Sequence, residues 1–320
     1  MKKWILPGLV MLIGAALIAV AVFRNLFAVG PAFESMIEDF RPWLTDDSIA
    51  ALRTDLDGLE GAVTEFETAM APALAAQLGM TQDEFSAMVA AQFPAVATGM
   101  ATVPGAAGSF RGIIDLLEAQ QDNFASADAI PTTGLPATTV PWGMVAAGGL
   151  AIVFGVLMAL GKGRTGAIAV LVLGVLLVAA PLVLSLPDKA QGADDLNAAL
   201  KPVYNAELVD GASGALEVIG AMGTEMSESM LPGLGAMLQM DEAEVQAFLG
   251  QNFPAIAGAM AGLPDAMGRF TGMVGAFADN LDNYDVLKPV AFVPIVWTLV
   301  VAGGALVILG GVGLMRRKAA

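Results

Sequence analysis

The sequence predicts an all-α integral membrane protein with four transmembrane helices. They are arranged as two tandem repeats, each containing a transmembrane helix, an extracytoplasmic helical bundle and a second transmembrane helix. Three observations predict this fold: four long apolar blocks, a match between the two halves of the chain, and helical periodicity between the blocks. The mean hydropathy is +0.70 and 14% of the 320 residues are charged, whereas soluble domains carry about 25% charged residues. This composition is typical of a membrane protein.

Most of the apolar excess lies in four blocks that contain no ionisable side chain. A helix rises about 1.5 Å per residue, so about 20 residues cross a hydrocarbon core roughly 30 Å thick. The first block is longer than the apolar core of a signal peptide, which has about 7 to 15 residues, and we therefore expect it to be retained. The predicted transmembrane helices are residues 4–23, 142–160, 166–186 and 291–315.

The charged residues predict the orientation of the chain. All 31 acidic residues lie in the two long segments between the blocks, residues 24–140 and 187–290, while the short segments elsewhere are basic. By the positive-inside rule, those basic segments mark the cytoplasmic face. Both termini are therefore predicted to be cytoplasmic, in a cell-membrane protein with two large extracytoplasmic domains. The basic residues are Lys2, Lys3, Lys162, Arg164, Arg316, Arg317 and Lys318.

Residues 1–160 and 161–320 are predicted to be two copies of one unit. Between Phe93 and Gly112, 11 of 20 residues are identical to the residues 160 positions further on. Such a match indicates internal duplication. Because each copy crosses the membrane twice, both copies insert in the same orientation. The predicted pseudo-twofold axis is therefore parallel to the membrane normal.

The two extracytoplasmic segments are predicted to form similar helical bundles, each large enough for its own core. Apolar residues recur three and four positions apart between Ile49 and Val63, which is typical of a helix facing a core. Thr81 with Glu84 predicts a capping box, and so does Asp241 with Glu244. Prolines divide the segments into short helices. They are Pro42, Pro72, Pro94, Pro104, Pro202, Pro232, Pro254 and Pro264.

Four glycines in the predicted spans indicate close helix packing. Gly148 and Gly155 match Gly303 and Gly310, and the members of each pair are seven residues apart, on one face of a helix. Small residues allow helix backbones to approach closely in a membrane. We interpret the four glycines as the packing seam of the second and fourth spans. The alternative is that glycine is simply frequent in membrane helices.

The residue inventory favours a protein that is not an enzyme. The chain has no histidine and no cysteine, which removes the commonest general base and the usual ligands of zinc, haem and iron–sulfur clusters. Paired carboxylates would suffice for glycoside hydrolysis, but few acidic residues recur at matching positions in the two copies. A solvated acidic face is therefore the favoured interpretation. No catalytic residue, cofactor or metal ligand is predicted.

Two metal hypotheses compete with structural interpretations. Met222, Met226 and Met230 are spaced four residues apart, and thioethers bind Cu(I), although methionine is also a flexible filler of helical cores. The matching segments Asp122–Phe124 and Asp282–Tyr284 could supply oxygen ligands to calcium, or they could form a helix-ending turn. We favour the core and the turn.

Four aromatic residues are the predicted contacts for a partner or for lipid. They are Phe93 and Phe110, with their counterparts Phe253 and Phe270. Phe93 and Phe253 each precede a proline, a position from which an aromatic ring usually packs into a core. The alternative is that these rings are exposed and line a groove suited to acyl chains.

The predicted function is that of a non-enzymatic cell-envelope protein whose paired helical bundles bind or scaffold a partner. The expected partners are membrane lipid and either another protein or a second copy of the chain. The outer segments contain 16 and 15 acidic residues against four basic residues each, which excludes nucleic acid as a partner. The alternative is a lipid- or hydrophobic-molecule-binding accessory subunit of an export system. An apolar cavity would favour this alternative, and solid cores with an exposed apolar patch would favour the scaffold.

Overall fold

The computed structural model describes residues 2–130 and 136–315, and every regular element in these ranges is a helix. The prediction of an all-α protein is confirmed. The helices of the first half are α1 (Lys2–Phe23), α2 (Leu26–Phe40), α3 (Asp46–Glu65), α4 (Ala71–Leu78), α5 (Gln82–Gln92), α6 (Pro94–Ala119), α7 (Gln121–Asp128) and α8 (Thr139–Ala159). The helices of the second half are α9 (Gly163–Val183), α10 (Leu186–Leu200), α11 (Ala206–Glu225), α12 (Leu231–Leu238), α13 (Glu242–Asn252), α14 (Pro254–Asp279), α15 (Leu281–Leu287) and α16 (Phe292–Met315).

Four helices of the described chain, α1, α8, α9 and α16, are long and apolar enough to cross a membrane. Their apolar stretches have 20 to 24 residues, which corresponds to about 30 Å or more of helix. The four predicted blocks are therefore confirmed as candidate membrane spans. The three C-terminal basic residues used to predict the orientation, Arg316, Arg317 and Lys318, lie outside the described residues.

The chain divides into two compact units, and each contains segments from both halves of the sequence. The membrane unit comprises Met1–Asp39, Gln120–Lys201 and Asp282–Ala320, and so includes all four candidate spans. The acidic unit comprises Phe40–Ala119 and Pro202–Leu281. It contains 21 acidic and four basic residues.

The acidic unit has a hydrophobic core to which both halves of the chain contribute. The long helix α6 packs on α11, and α14 packs on α3. This arrangement differs from the prediction of two bundles with separate cores. The reason is that each long helix covers its apolar face with a helix from the other half. Core residues from the two halves include Phe66, Met70, Leu74, Phe85, Val96, Met222, Met230, Leu249, Phe253 and Ile256.

Each long helix of the acidic unit also receives an N-terminal cap from the other half. The Val96 N–H in α6 donates to Glu225 Oε2 at 2.8 Å. The Ile256 N–H in α14 donates to Glu65 Oε2 at 2.9 Å. Amides in the first turn of a helix lack partners within the helix, and a carboxylate is favourable at the positive end of the helix dipole. These caps therefore stabilise the contact between the two halves.

Replacing Glu225 with alanine is expected to loosen the start of α6. Loss of a helix cap costs about 0.5–2 kcal/mol, so the Tm should fall by a few degrees, measured by circular dichroism in detergent. Glu217→Ala is the matched control, because Glu217 is exposed on the same helix, α11. Equal Tm shifts in the two variants would contradict the role of Glu225 as a cap.

Both predicted capping boxes are confirmed. At the start of α5, the Thr81 N–H donates to Glu84 Oε2 at 2.8 Å and the Glu84 N–H donates to Thr81 Oγ1 at 3.2 Å. Asp241 and Glu244 make the same two bonds at the start of α13. The Thr81 backbone N–H, followed by its hydroxyl, lowers the pKa of Glu84. Because this pKa is lower in the folded state, Glu84 stabilises the fold at pH values above the ordinary glutamate pKa. This contribution is lost as the pH falls through the lowered pKa.

Pro94 and Pro254 begin α6 and α14, as their sequence positions predicted. Phe93 and Phe253, the preceding residues, have φ values of −132° and −137°. The ring of a proline disfavours helical geometry in the residue before it, and this ends α5 and α13. Taken together, α5 and α6 are also long and apolar enough to cross a membrane, but the chain bends by 110° between the two helices.

Two further prolines each follow a π-helical turn. These turns are Phe66–Met70, before Pro72, and Met226–Met230, before Pro232. Proline has no N–H, so the ordinary α-helical hydrogen bond cannot form at its position. In the first turn, the Ala71 N–H instead reaches the carbonyl of the first residue of the π turn. This i to i−5 bond defines a π-helix.

The membrane glycines lie at tight helix contacts, but their partners differ from the predicted ones. A Cβ atom on Gly148 would lie 2.5 Å from the carbonyl oxygen of Gly14 in α1. A Cβ atom on Gly303 would lie 2.8 Å from the carbonyl oxygen of Gly174 in α9. The glycines of α8 and α16 therefore form seams with the first and third spans, and not between the second and fourth.

Gly155 and Gly310 continue the same two seams. A Cβ atom on Gly155 would lie 2.6 Å from Met11 Cγ in α1. A Cβ atom on Gly310 would lie 2.8 Å from Leu171 Cβ in α9. Spacing along one helix identified the face correctly, but the partner helix depends on how the spans assemble.

Candidate functional site

Two helix breaks in the membrane unit lie beside one of its cavities. α1 and α2 are separated by Arg24 and Asn25, and α9 and α10 by Leu184 and Ser185. Asn25 and Ser185 have φ values of 52° and 51°, in the left-handed region that L-residues seldom adopt. Each break ends a candidate span and starts a helix outside it.

A cavity of about 210 Å³ lies at these breaks. We call it the membrane pocket. Its lining comes from α2, the start of α8, the junction of α9 with α10, and the first turns of α16. Phe33 and Phe292 form part of the wall, with ring centroids 5.2 Å apart. Other lining residues include Leu26, Val29, Leu186, Ile295, Val296 and Leu299.

The lining of the membrane pocket is almost entirely apolar. Among the described residues that line it, Thr139 is the one with a polar side chain, and its hydroxyl donates to the Pro136 carbonyl oxygen at 2.7 Å. None of these described lining residues is ionisable. A polar ligand group placed there would lose its hydrogen bonds to water without replacement, at a cost of about 1–3 kcal/mol. The pocket therefore suits an apolar group.

A set of hydrogen bonds from α10 holds the start of α16 beside the pocket. Asp194 accepts from the Phe292 N–H at 2.7 Å and from the Val293 N–H at 3.1 Å. Asn197 Nδ2 donates to the Leu287 carbonyl oxygen at 3.2 Å. The Tyr284 hydroxyl donates to the Asn197 carbonyl oxygen at 3.0 Å, and burial of the ring raises the pKa of this phenol. These bonds position Phe292 in the pocket wall.

A larger cavity lies in the acidic unit. We call it the acidic groove. It has a volume of about 820 Å³ and is lined by the second π turn, α12, α13 and the start of α14. Val245 and Leu249 on its floor are buried, while Ser227, Glu242 and Gln246 are exposed at its rim. This mixture of an apolar floor with a few polar groups is common in small-molecule sites.

The aromatic residues proposed as partner contacts are mostly buried in the acidic unit. Phe110 and Phe270 are 3% and 1% exposed, and their ring centroids are 5.0 Å apart. Phe253 is also buried and packs edge-on against Phe248. These three rings belong to the interior and present no free face to a partner or to lipid. Phe93 is only partly buried and packs against the same core.

The metal hypotheses gain no support from the side-chain arrangement. Met222, Met226 and Met230 are buried in the hydrophobic core, where each has an apolar packing role. The segments Asp122–Phe124 and Asp282–Tyr284 lie within the short helices α7 and α15, so they are not the helix-ending turns that we favoured. Within residues 2–130 and 136–315, no group of three acidic side chains is placed to hold a metal ion.

Arginines in the acidic unit pair with part of the excess of carboxylates. Arg53 Nη2 lies 2.6 Å from Asp115 Oδ1 and also bonds Glu118. Arg269 makes a two-point contact with Asp55, at 2.6 and 2.7 Å. Hydrogen bonds to these carboxylates raise the pKa of both arginines. The unit has 21 acidic residues and only four basic ones. Most of its carboxylates therefore have no arginine available to neutralise them, and the unit keeps a strong negative charge.

Neither cavity was identified from the sequence. Leu26, Val29 and Phe33 continue the apolar helical spacing beyond Arg24, and this extension is the signal that could have revealed the membrane pocket. The acidic groove has no such local signal, because its walls come from separate helices. Comparison of the chain with protein-family models, with curated proteins and with solved structures finds no match.

Proposed function

We propose that this chain is a membrane protein that binds a hydrophobic chain, such as a lipid acyl chain, without catalysing a reaction. The membrane pocket carries the proposal. It is a cavity of about 210 Å³ at the ends of candidate membrane spans, and its lining residues offer no charge. Burial of apolar surface contributes roughly 25 cal/mol per Å², so an acyl chain would be stabilised along its whole contact with the pocket.

The position of the pocket supports a ligand that comes from the bilayer. It lies where α1 and α9 end and where α16 begins, and these helices are each long enough to cross the hydrocarbon core. Lipid chains are present at high local concentration at such a level. Apart from Arg164 in the first turn of α9, the candidate spans contain no ionisable side chain, so any energy-driven movement of the bound molecule would need a second protein. A role as an accessory subunit of an export system is consistent with this requirement.

The proposal places both termini in the cytoplasm and the acidic unit outside. Lys162, between α8 and α9, and Arg164, in the first turn of α9, support this orientation together with the basic residues at the two chain ends. The acidic unit carries 21 acidic and four basic residues. It therefore lacks the excess of lysine and arginine that marks cytoplasmic segments under the positive-inside rule.

We further propose that the chain arose by duplication, with a pseudo-twofold axis along the membrane normal. α3 and α11 begin and end 160 residues apart, and so do α6 and α14. The caps from Glu65 and Glu225 are reciprocal. Phe110 packs against Phe270, its own counterpart. Reciprocal contacts and self-pairing are what a twofold axis produces.

Scaffolding, which the sequence favoured, has weaker support. A scaffold that binds through an apolar surface needs a contiguous exposed patch, which in protein interfaces covers several hundred Å². Three large apolar residues of the acidic unit are 37% to 48% exposed, namely Met80, Leu208 and Met237. They come from separate helices or loops of the unit. The apolar cavity therefore favours ligand binding.

The test is photo-crosslinking with a phospholipid that carries a diazirine in its acyl chain. The full chain is reconstituted in nanodiscs containing this lipid, irradiated, and analysed by peptide mass spectrometry. We expect labelling of α2 and α10 peptides, and a severalfold loss of that labelling in Val296→Trp, because the larger ring fills the pocket. Val301→Trp is the matched control, because Val301 is 67% exposed on the same helix.

The proposal fails if the α2 and α10 peptides are labelled no more strongly than peptides of the acidic unit. It also fails if Val296→Trp, with an unchanged Tm, leaves the labelling intact. If excess unlabelled lipid reduced the crosslinking of these peptides, the bound lipid would also be shown to exchange with lipid of the bilayer.

A further inference from the structure

We propose that the acidic groove is a second binding site, specific for a cationic amphiphile: a small molecule with an apolar body and one positively charged group. This inference is independent of the membrane pocket, since the groove lies in the acidic unit and is carried by different residues. Its volume of about 820 Å³ falls in the range of about 300–1,000 Å³ that is usual for small-molecule sites.

The floor of the groove would hold the apolar body. Val245 and Leu249 are buried there, and Met240 and Met260 are half-buried along the walls. Methionine side chains are flexible and polarisable, so they adapt to ligands of different shape. The floor therefore favours an apolar ligand body but tolerates ligands of different shape.

Small residues keep the groove open. Phe85 stands 160 positions before Val245 and is buried in the core of the first half, 1% exposed. Gly235, in the groove lining, corresponds to Ala75. A Cβ atom on Gly235 would lie 3.0 Å from both Met240 O and Val245 Cγ2. At these two positions the second half therefore carries the smaller side chain.

The charges around the groove select a cation. Glu242 lies at the rim, and the segment Pro202–Leu281 contains ten acidic residues and one basic residue, Arg269. That arginine is engaged by both carboxylate oxygens of Asp55. In the described part of the chain, no basic side chain lines the groove. The resulting negative potential attracts cations and repels anions.

The experiment compares three probes with one apolar body: 1-naphthylmethylammonium, 1-naphthylmethanol and 1-naphthylacetate. Each is titrated into the full chain in zwitterionic nanodiscs, and the signal from empty nanodiscs is subtracted. We expect the cation to bind most tightly and the anion most weakly. The preference for the cation should shrink as salt is added, because salt screens exposed charges.

Variants separate the contributions of shape and charge. Val245→Phe should abolish binding of the cation and of the neutral probe, and Ala261→Trp should do the same from the exposed rim without touching the core. Glu242→Gln should weaken the affinity for the cationic probe about threefold to fivefold, which corresponds to the free energy of an exposed ion pair. The affinity for the neutral probe should not change. Asp210→Asn removes the same charge at the far end of α11, about 25 Å from Ser227 along the helix, and should have no effect.

Equal affinities for the three probes would overturn the charge selection. Unchanged binding in Ala261→Trp and Val245→Phe would place the probes elsewhere and overturn the site itself. If Asp210→Asn weakened binding of the cationic probe as much as Glu242→Gln, the effect would come from the net charge of the unit and not from the groove. Lipid crosslinking at the membrane pocket is measured separately, so failure of one site does not decide the other.

Discussion

Gly148→Leu and Gly303→Leu are each expected to separate a pair of membrane helices and to lower the Tm sharply. A Cβ atom on Gly148 would lie 2.5 Å from the carbonyl oxygen of Gly14, and one on Gly303 would lie 2.8 Å from that of Gly174. The obstacle in each case is backbone, which cannot move aside as a flexible side chain can. Overpacking typically costs about 1–3 kcal/mol, and we expect the upper end of that range.

Adjacent glycines provide the control. A Cβ atom added to Gly149 or Gly304 meets nothing within 4 Å, so Gly149→Leu and Gly304→Leu should leave the Tm nearly unchanged. The four variants carry the same substitution on the same two helices, and thermal unfolding in detergent or nanodiscs compares them directly. Similar Tm losses at Gly148 and Gly149 would show that α8 does not pack on α1 through this seam.

Phe270→Ala is expected to destabilise the acidic unit by about 3–5 kcal/mol, the usual cost of truncating a buried phenylalanine. Phe270 is 1% exposed and packs against Phe110, with the ring centroids 5.0 Å apart. Aromatic pairs contribute about 0.5–1.5 kcal/mol beyond the area that they bury. Because the two rings come from different halves of the chain, the loss should loosen the contact between α6 and α14.

Chemical denaturation followed by tryptophan fluorescence measures this effect, since Trp43 is the one tryptophan of the acidic unit. Phe110→Ala should cost a similar amount, and the double variant should cost less than the sum of the two because the residues are in contact. Leu208→Ala, at a site that is 46% exposed, is the control and should change little. A cost below about 1 kcal/mol for Phe270→Ala would contradict its burial in a shared core.

Features with local causes were predicted correctly. The capping boxes at Thr81 and Asp241 depend on a carboxylate three residues further on. The starts of α6 and α14 depend on Pro94 and Pro254, since proline restricts its own φ and the residue before it. A correct prediction was possible because every atom involved lies within one or two turns of chain.

Partner choice was not predictable in the same way. The spacing of Gly148 and Gly155 identifies one face of α8, but any neighbouring helix with a small residue could pack there. The partner is α1, where Gly14 faces Gly148. Likewise, the sequence showed that Glu65 and Glu225 are acidic without revealing that each caps a helix of the opposite half, 191 and 129 residues away.

The sequence by itself determined that the chain is helical, that four segments are apolar enough to cross a membrane, and where many helices begin. These properties follow from composition, periodicity and short-range hydrogen bonding. Only the tertiary structure decided that both halves share the core of the acidic unit, that Phe110, Phe253 and Phe270 are interior, and that the membrane pocket and the acidic groove form. Burial and cavity shape depend on which helices pack together, and these helices are far apart in the sequence. The pattern of residues along one helix does not specify its packing partner.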